Sequence, residues 1–396
     1  MTLNKYYSIL LKLFITLVLI DFDGDFIIRQ ETGFFGFLQE LIRYSIISLL
    51  LFFGLIGLYN ILSVFKIKSI GQSCLMIIIV TNGYGLLLGL LFNNHIGAIR
   101  EFAAISPICL IPIFLKICRD KLLEIALYLI YTLVLIIAIK LLISQFFHIF
   151  IYGSLAWKIM LRSSPLLVLP YAYILINLVK GDSQKKYLFL FFIVIIEALV
   201  AQARALNVVL LIVTLIIILT RPLNRRIFIP AIIFAVSSMI AVFFTDGNFE
   251  NIFGFWSGVH FDESVNYRIE QLHILVDRYI SRPLTGFGFG YYTIEYLTYG
   301  DLVNSFLLEL DLINFSTKIG LPFSMVYLSG YIILVIQYKR NTFHDQKTKN
   351  IVISYLLTLI LLLFYSLFQT AHSSILYWLV YALSFSLIFN NSRYSG

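Results

Sequence analysis

Two carboxylates, Glu309 and Asp311, stand at the mouth of an apolar stretch, with Lys318 one to two helical turns further in. A carboxyl group entering apolar surroundings has its pKa raised, which poises it as a general base near neutral pH. The same three charges would alternatively settle as an ion pair. Upstream, residues 262–290 read DESVNYRIEQLHILVDRYISRPLTGFGFG. Arg268, Leu275, Arg278 and Arg282 recur there at helical intervals and form one stripe, and planar guanidinium groups match phosphate oxygens in pairs. A solvated amphipathic helix balanced by Glu270 and Asp277 is the plainer account of that stripe. Asp262, Glu263 and Ser264 favour a helix start, and Pro283 marks its end.

Arg204 lies in the turn between two apolar runs, 187–202 and 205–220. Each is roughly 24 Å long as a helix, short of a hydrocarbon core of roughly 30 Å. The turn is therefore expected below the membrane surface, where a cation is costly and usually functional. The bland alternatives are an arginine snorkelling to headgroups or a pair with Glu197. Gly286, Gly288 and Gly290 do not follow the GxGxxG dinucleotide pattern, and they suit a tight turn where backbone approaches a ligand or a helix. The surrounding rings, among them Trp256, Phe287, Tyr291 and Tyr292, fit sugar faces as well as they fit an interfacial aromatic belt. DFDGD at 21–25 would hold a divalent metal through Asp21, Asp23 and Asp25, or simply be an acidic flank; no metal or cofactor is called for.

The elements that must position these residues are membrane helices. Only 13% of the 396 residues are charged and 60% are hydrophobic, with a mean hydropathy of +0.93. Soluble domains carry about 25% charged residues. Apolar runs of this length, without water to satisfy the backbone, select helices. The expected fold is all-α, a polytopic bundle of about twelve transmembrane helices in a single integral membrane domain, 1–396. The spans are expected near 6–20, 40–62, 73–92, 101–118, 122–143, 161–180, 187–202, 205–220, 227–244, 311–337, 351–369 and 374–390.

With the N-terminus inside, each inner connection carries at least two basic residues. Examples are Lys66 with Lys68, Arg119 with Lys121, Lys185 with Lys186, Arg225 with Arg226, and Lys339 with Arg340. Most acids fall on the other side. This alternation places both termini in the cytoplasm and the one long connection, 245–310, outside. The net charge of +8 is then topological, and nucleic acid is not an expected partner. Cys74, Cys109 and Cys118 form no CxxC and imply neither a disulfide framework nor a zinc site.

An arginine in a short helical hairpin, then a long outer loop with R…PLTGFGFG, then a polar residue eleven before a glycine: this order resembles the Wzy-type O-antigen polymerase and O-antigen ligase superfamily, over about 187–337. The family's T-x-S-R turn reads Ala201-Gln202-Ala203-Arg204 here, so the arginine is kept and the hydroxyls are not. Arg268 and Pro283-Leu284-Thr285-Gly286-Phe287-Gly288-Phe289-Gly290 match its second pattern. Ligases continue with H-N-x-Y-L…G; counted back from Gly320, Glu309 and Leu310 occupy the first two places, which leans towards the polymerases.

The resemblance implies inverting, metal-independent glycosyl transfer between undecaprenyl-pyrophosphate-linked oligosaccharides at the outer face of a bacterial inner membrane. Membrane lipid and a chain-length regulator protein are the other expected partners. It implies Arg204, Arg268 and Glu309 as catalytic residues and the Gly286, Gly288 and Gly290 turn at the substrate; the residues themselves add Asp311 as the alternative base and Arg278, Arg282 and Lys318 as substrate-binding ones. The competing readings are a ligase that moves finished polymer to lipid A core, a metal-dependent transferase using polyprenyl-monophosphate sugars, and a flippase or transporter. Transporters concentrate charged or broken helices at mid-membrane; here the polar residues gather at the outer side.

Overall fold

The structure is a computed structural model. It describes residues 3–23, 34–64, 70–150, 165–180, 184–200, 204–220, 263–291, 294–296, 302–304, 310–343, 345–367 and 374–391. The expected span 227–244, the loop residues 245–262, Asp25 and Glu309 lie outside the described residues, as do the side chains of Arg204 and Arg268.

Runs of Leu, Ile, Val and Phe fold as helices because each backbone N–H then finds its carbonyl within the same segment. In chain order these are α1 (Leu3–Asp23), α2 (Phe34–Val64), α3 (Ile70–Phe92), α4 (His95–Ala104), a 3-10 turn at Ser106–Leu110, α5 (Ile111–Lys116), α6 (Leu122–Phe150), α7 (Val168–Lys180), α8 (Gln184–Val200) and α9 (Arg204–Thr220). The second half holds α10 (Glu263–Ser281), strands β1 (Ile294–Tyr296) and β2 (Leu302–Asn304), then α11 (Asp311–Ile319), α12 (Leu321–Arg340), α13 (Gln346–Tyr365) and α14 (Ile375–Asn391). The two strands pair antiparallel, with Glu295 opposite Val303, so the long connection carries a small hairpin that an all-helical expectation omits.

Among the described residues, five helices are long and apolar enough to cross a membrane. The number is six if α4 and Ser106–Lys116, bent by 46° at a short break, form one broken span. Shorter apolar helices lie at Val168–Val179, Val208–Thr220 and Ile375–Asn390. The chain is a helical membrane protein.

Two expected spans are broken, 101–118 by the 3-10 turn at Ser106–Leu110 and 311–337 near its start. Residues 311–337 read as a single run, yet the helix breaks between α11 and α12 at Gly320, whose φ is 78°. Pro322 follows in the first turn of α12, where its missing N–H costs nothing.

The chain divides into two compact units. The first comprises Met1–Leu55, Ile113–Gly247 and Phe343–Leu361. In it α7, apolar along most of its length, is buried among α6, α8 and α9. Several buried polar groups pair there: the Tyr171 and Thr214 hydroxyls lie 2.7 Å apart, Asn350 donates to Asn177 at 3.0 Å, and the Tyr355 hydroxyl donates to the Ala126 carbonyl at 2.8 Å. The second comprises Ile56–Pro112, Asn248–Thr342 and Leu362–Gly396. Here α3 lies along α12, and α14 is enclosed by α12, α4 and the Ser106–Leu110 turn. The Tyr327, Tyr331 and Tyr377 hydroxyls form a buried chain at 2.6 and 2.7 Å.

Candidate functional site

The glycine-rich turn is built into the second unit. α10 opens at Glu263 and closes at Ser281, in line with the acidic start and Pro283. Its buried positions are Gln271, Leu275 and Arg278, spaced as one helical face. Leu275 packs on Leu310 and Ile313, which fixes α10 against α11. Ile269, Leu272, Val276 and Ile280 form an exposed stripe on another side of the helix.

After α10 the chain crosses between α3, α4 and the α11–α12 break in a closely fitted series of turns. The Phe287 and Gly288 N–H groups donate to the Thr317 and Lys318 carbonyls at 3.2 and 2.8 Å, and that of Phe289 donates to Gly85 at 2.8 Å. Leu321 N–H returns a bond to the Pro283 carbonyl at 2.8 Å. From α3, the Tyr84 hydroxyl donates to Thr285 O at 2.9 Å. Asn93 Nδ2, just beyond it, donates to Phe287 O and Phe289 O at 2.6 and 3.0 Å. Gly286, Gly288 and Gly290 have φ values of 70°, 84° and 70°, which disfavour any side chain. Their Cα atoms also press on backbone: a Cβ at Gly288 would lie 2.6 Å from Gly89 N, and one at Gly290 2.5 Å from Asn94 O. The glycines thus admit helix backbone on the side they face.

The arginines flank the same turn. The Arg282 guanidinium carbon lies 4.9 Å from the centre of the Phe287 ring, and that of Arg278 lies 5.3 Å from Tyr291. The two rings stack on each other at 4.2 Å. A cation over a ring face is attracted by its quadrupole, so the rings hold both guanidinium groups beside the turn. Arg278 is 5% exposed, whereas Arg282 is open to its surroundings.

On α11, Asp311, Asn314 and Lys318 are all buried. Leu312 N–H, in the first turn, donates to the Ser366 carbonyl at 2.9 Å. Lys318 has a partner on another helix. Its ammonium donates to Glu101 Oε1 of α4 at 2.6 Å, and Glu101 Oε2 accepts from Gly290 N–H at 3.3 Å.

The structure therefore brings together, within the second unit, Arg278, Arg282, Gly286, Gly288, Gly290, Asp311 and Lys318. Arg268 is on α10, and its side chain lies outside the described part. Arg204 is the first residue of α9 and belongs to the first unit. Glu197, on α8 of that unit, is 1% exposed. Glu309 lies outside the described residues. Three residues that hold the turn, Tyr84, Asn93 and Glu101, gave no distinctive sequence signal: Tyr84 is an aromatic inside an apolar run, and Asn93 and Glu101 are polar residues at the ends of one.

A family model described as O-antigen ligase matches residues 187–307, a stretch that includes Arg204, Arg268 and the glycine turn. That stretch is thus similar to the O-antigen ligase and polymerase superfamily, whose members are membrane glycosyltransferase-like enzymes. No curated protein gives a match to the chain.

Proposed function

We propose that this chain is a polysaccharide repeat-unit polymerase. It joins undecaprenyl-pyrophosphate-linked oligosaccharides on the outer face of the bacterial inner membrane, with both termini in the cytoplasm. The single observation that carries this reading is the family match over 187–307, which holds the hairpin arginine and the R…PLTGFGFG turn in one stretch. In the step, a hydroxyl oxygen of the acceptor sugar attacks the anomeric carbon of the donor. Its proton passes to a carboxylate, Glu309 or Asp311. The bond from the anomeric carbon to the pyrophosphate oxygen breaks, and the lipid diphosphate leaves with the electron pair. Fixed guanidinium groups aimed at the leaving oxygens lower the barrier without reorganising, the role assigned to Arg204 and Arg268 with Arg278 and Arg282 on the substrate. No metal is required by this chemistry.

The acid at position 309, where ligases carry histidine, favours the polymerase. The family description favours a second reading, transfer of finished polymer to a lipid A core. In cells lacking the chromosomal copy, Arg204→Ala and Arg268→Ala are expected to abolish long-chain polysaccharide while the protein stays in the membrane at normal amounts. Unchanged chain lengths in both variants would reject the roles assigned. Long chains made but left on the carrier lipid in the deletion strain would select the ligase.

A further inference from the structure

Glu101 uses both of its carboxylate oxygens, one on the Lys318 ammonium and one on the Gly290 N–H. It lies 217 residues from the first and 189 from the second, and outside the stretch that matches the family. Through it α4 is joined at one point to α11 and to the end of the glycine turn. Lys318 is seven residues beyond Asp311. Seven residues are about two turns and about 10 Å of helix, and at about 100° per residue they return to within about 20° of the same face. A helix nine residues long that is held at Lys318 therefore has both the rotation and the height of Asp311 fixed. The pair is also secluded, with the lysine side chain 6% and the glutamate 20% exposed, so solvent screens it little.

We propose that Glu101 is a positioning residue for glycosyl transfer. By holding Lys318 and the Gly290 N–H together, it locks the glycine turn onto α11 and sets the carboxylate of Asp311 against the substrate. This rests on the transferase reading, and on Asp311 lying at the reacting end of α11. Lys318 then serves the site through a protein carboxylate.

The test uses the full chain in lipid nanodiscs, with turnover measured on lipid-linked oligosaccharide. Glu101→Gln keeps the shape and removes the charge; a misplacement on the order of 1 Å costs about a hundredfold in rate. That loss is expected in kcat, with KM held within about threefold. Glu101→Asp, which restores the charge, is expected to regain at least part of it. Lys318→Met is expected to lose as much, and the double variant Glu101→Gln with Lys318→Met no more than either single one, since both break the same contact. Wild-type kcat in Glu101→Gln, a loss confined to KM, or additive losses would overturn the proposal. If Glu101→Gln does not insert, Lys318→Met and Glu101→Asp carry the same comparison. A wild-type protein that transfers nothing, in which Arg204→Ala changes nothing either, refutes the transferase reading and takes this inference with it. A wild type that transfers, with Arg204→Ala inactive, leaves the Glu101 result to decide the inference alone.

Discussion

At Gly288 two independent constraints meet in one residue. A φ of 84° costs an L-residue roughly 1–2 kcal/mol. An added Cβ would also sit 2.6 Å from Gly89 N and 2.8 Å from the Leu88 carbonyl carbon, both backbone atoms of a membrane helix that cannot yield locally. Gly288→Ala is therefore expected to lower the thermal unfolding temperature and reduce the folded protein recovered in detergent, by more than about 2 kcal/mol in all. Gly54, on α2, is the control, because a Cβ there would meet nothing within 4 Å. Gly54→Ala should leave the unfolding temperature level or slightly raised, since alanine is the better helix former. Equal losses in the two variants, read by fluorescence-detected size exclusion after heating, would mean that the turn does not depend on this close approach. The regular spacing of Gly286, Gly288 and Gly290 was legible in the sequence as a turn, but what they approach was not. The partners of Gly288 and Gly290 are in α3 and α4, some two hundred positions earlier, and only tertiary packing brings them near.

At the scale of elements, hydropathy registers how apolar a segment is and leaves its direction open. That explains why α10 was readable at both ends, from Glu263 and Pro283, while the break at Gly320 was lost inside an uninterrupted apolar run. The residue that forces the break is a glycine packed against the Leu284 carbonyl and Gly286 N, again a distant contact. Glu101 was missed for the same reason: its charge is answered by a lysine in another helix. Helix starts governed by neighbours in sequence are the predictable case. Asp345 precedes α13 and accepts from Thr348 N–H at 2.7 Å, while the Thr348 hydroxyl also donates to it. Burial pushes the Asp345 carboxyl up, but the hydrogen bonds from the Thr348 hydroxyl and N–H, with the Lys347 N–H and charge, together hold it below the usual carboxylate range. A group depressed in the folded state contributes stability above its unfolded pKa and loses it as pH falls through the folded one. The α13 cap should thus hold at neutral pH and weaken on acidification below the ordinary aspartate range. Asp345→Asn should cost about 1 kcal/mol or less at pH 7 and flatten the acid dependence of the unfolding temperature. An unchanged acid slope in that variant would show that the cap is not what titrates.

For the whole molecule, the polymerase reading depends on which side of the membrane the glycine turn occupies, because it places glycosyl transfer on the outer face. The helices set spacing and burial, yet a bundle inverted as a body would have the same internal contacts. Orientation comes instead from the basic residues that resist translocation. Lys339 and Arg340 end α12 and Lys347 and Lys349 lie at the start of α13, so the connection between these two spans is expected to stay in the cytoplasm. α12 begins at Leu321, next to the glycine turn, and its twenty residues are about 30 Å long, enough to place its two ends at opposite surfaces. A single orientation thus commits both ends at once. In a chain with Cys74, Cys109 and Cys118 replaced by alanine, Ser281→Cys is expected to react with a membrane-impermeant maleimide in cells whose outer membrane alone has been opened. Lys347→Cys is expected to react only after the inner membrane is permeabilised. Ser281 is exposed at the end of α10, and Lys347 is exposed in the first turn of α13, so neither result is confounded by burial. The reverse pattern would put the glycine turn on the cytoplasmic side, and the polymerase reading, which needs it outside, would fall with it.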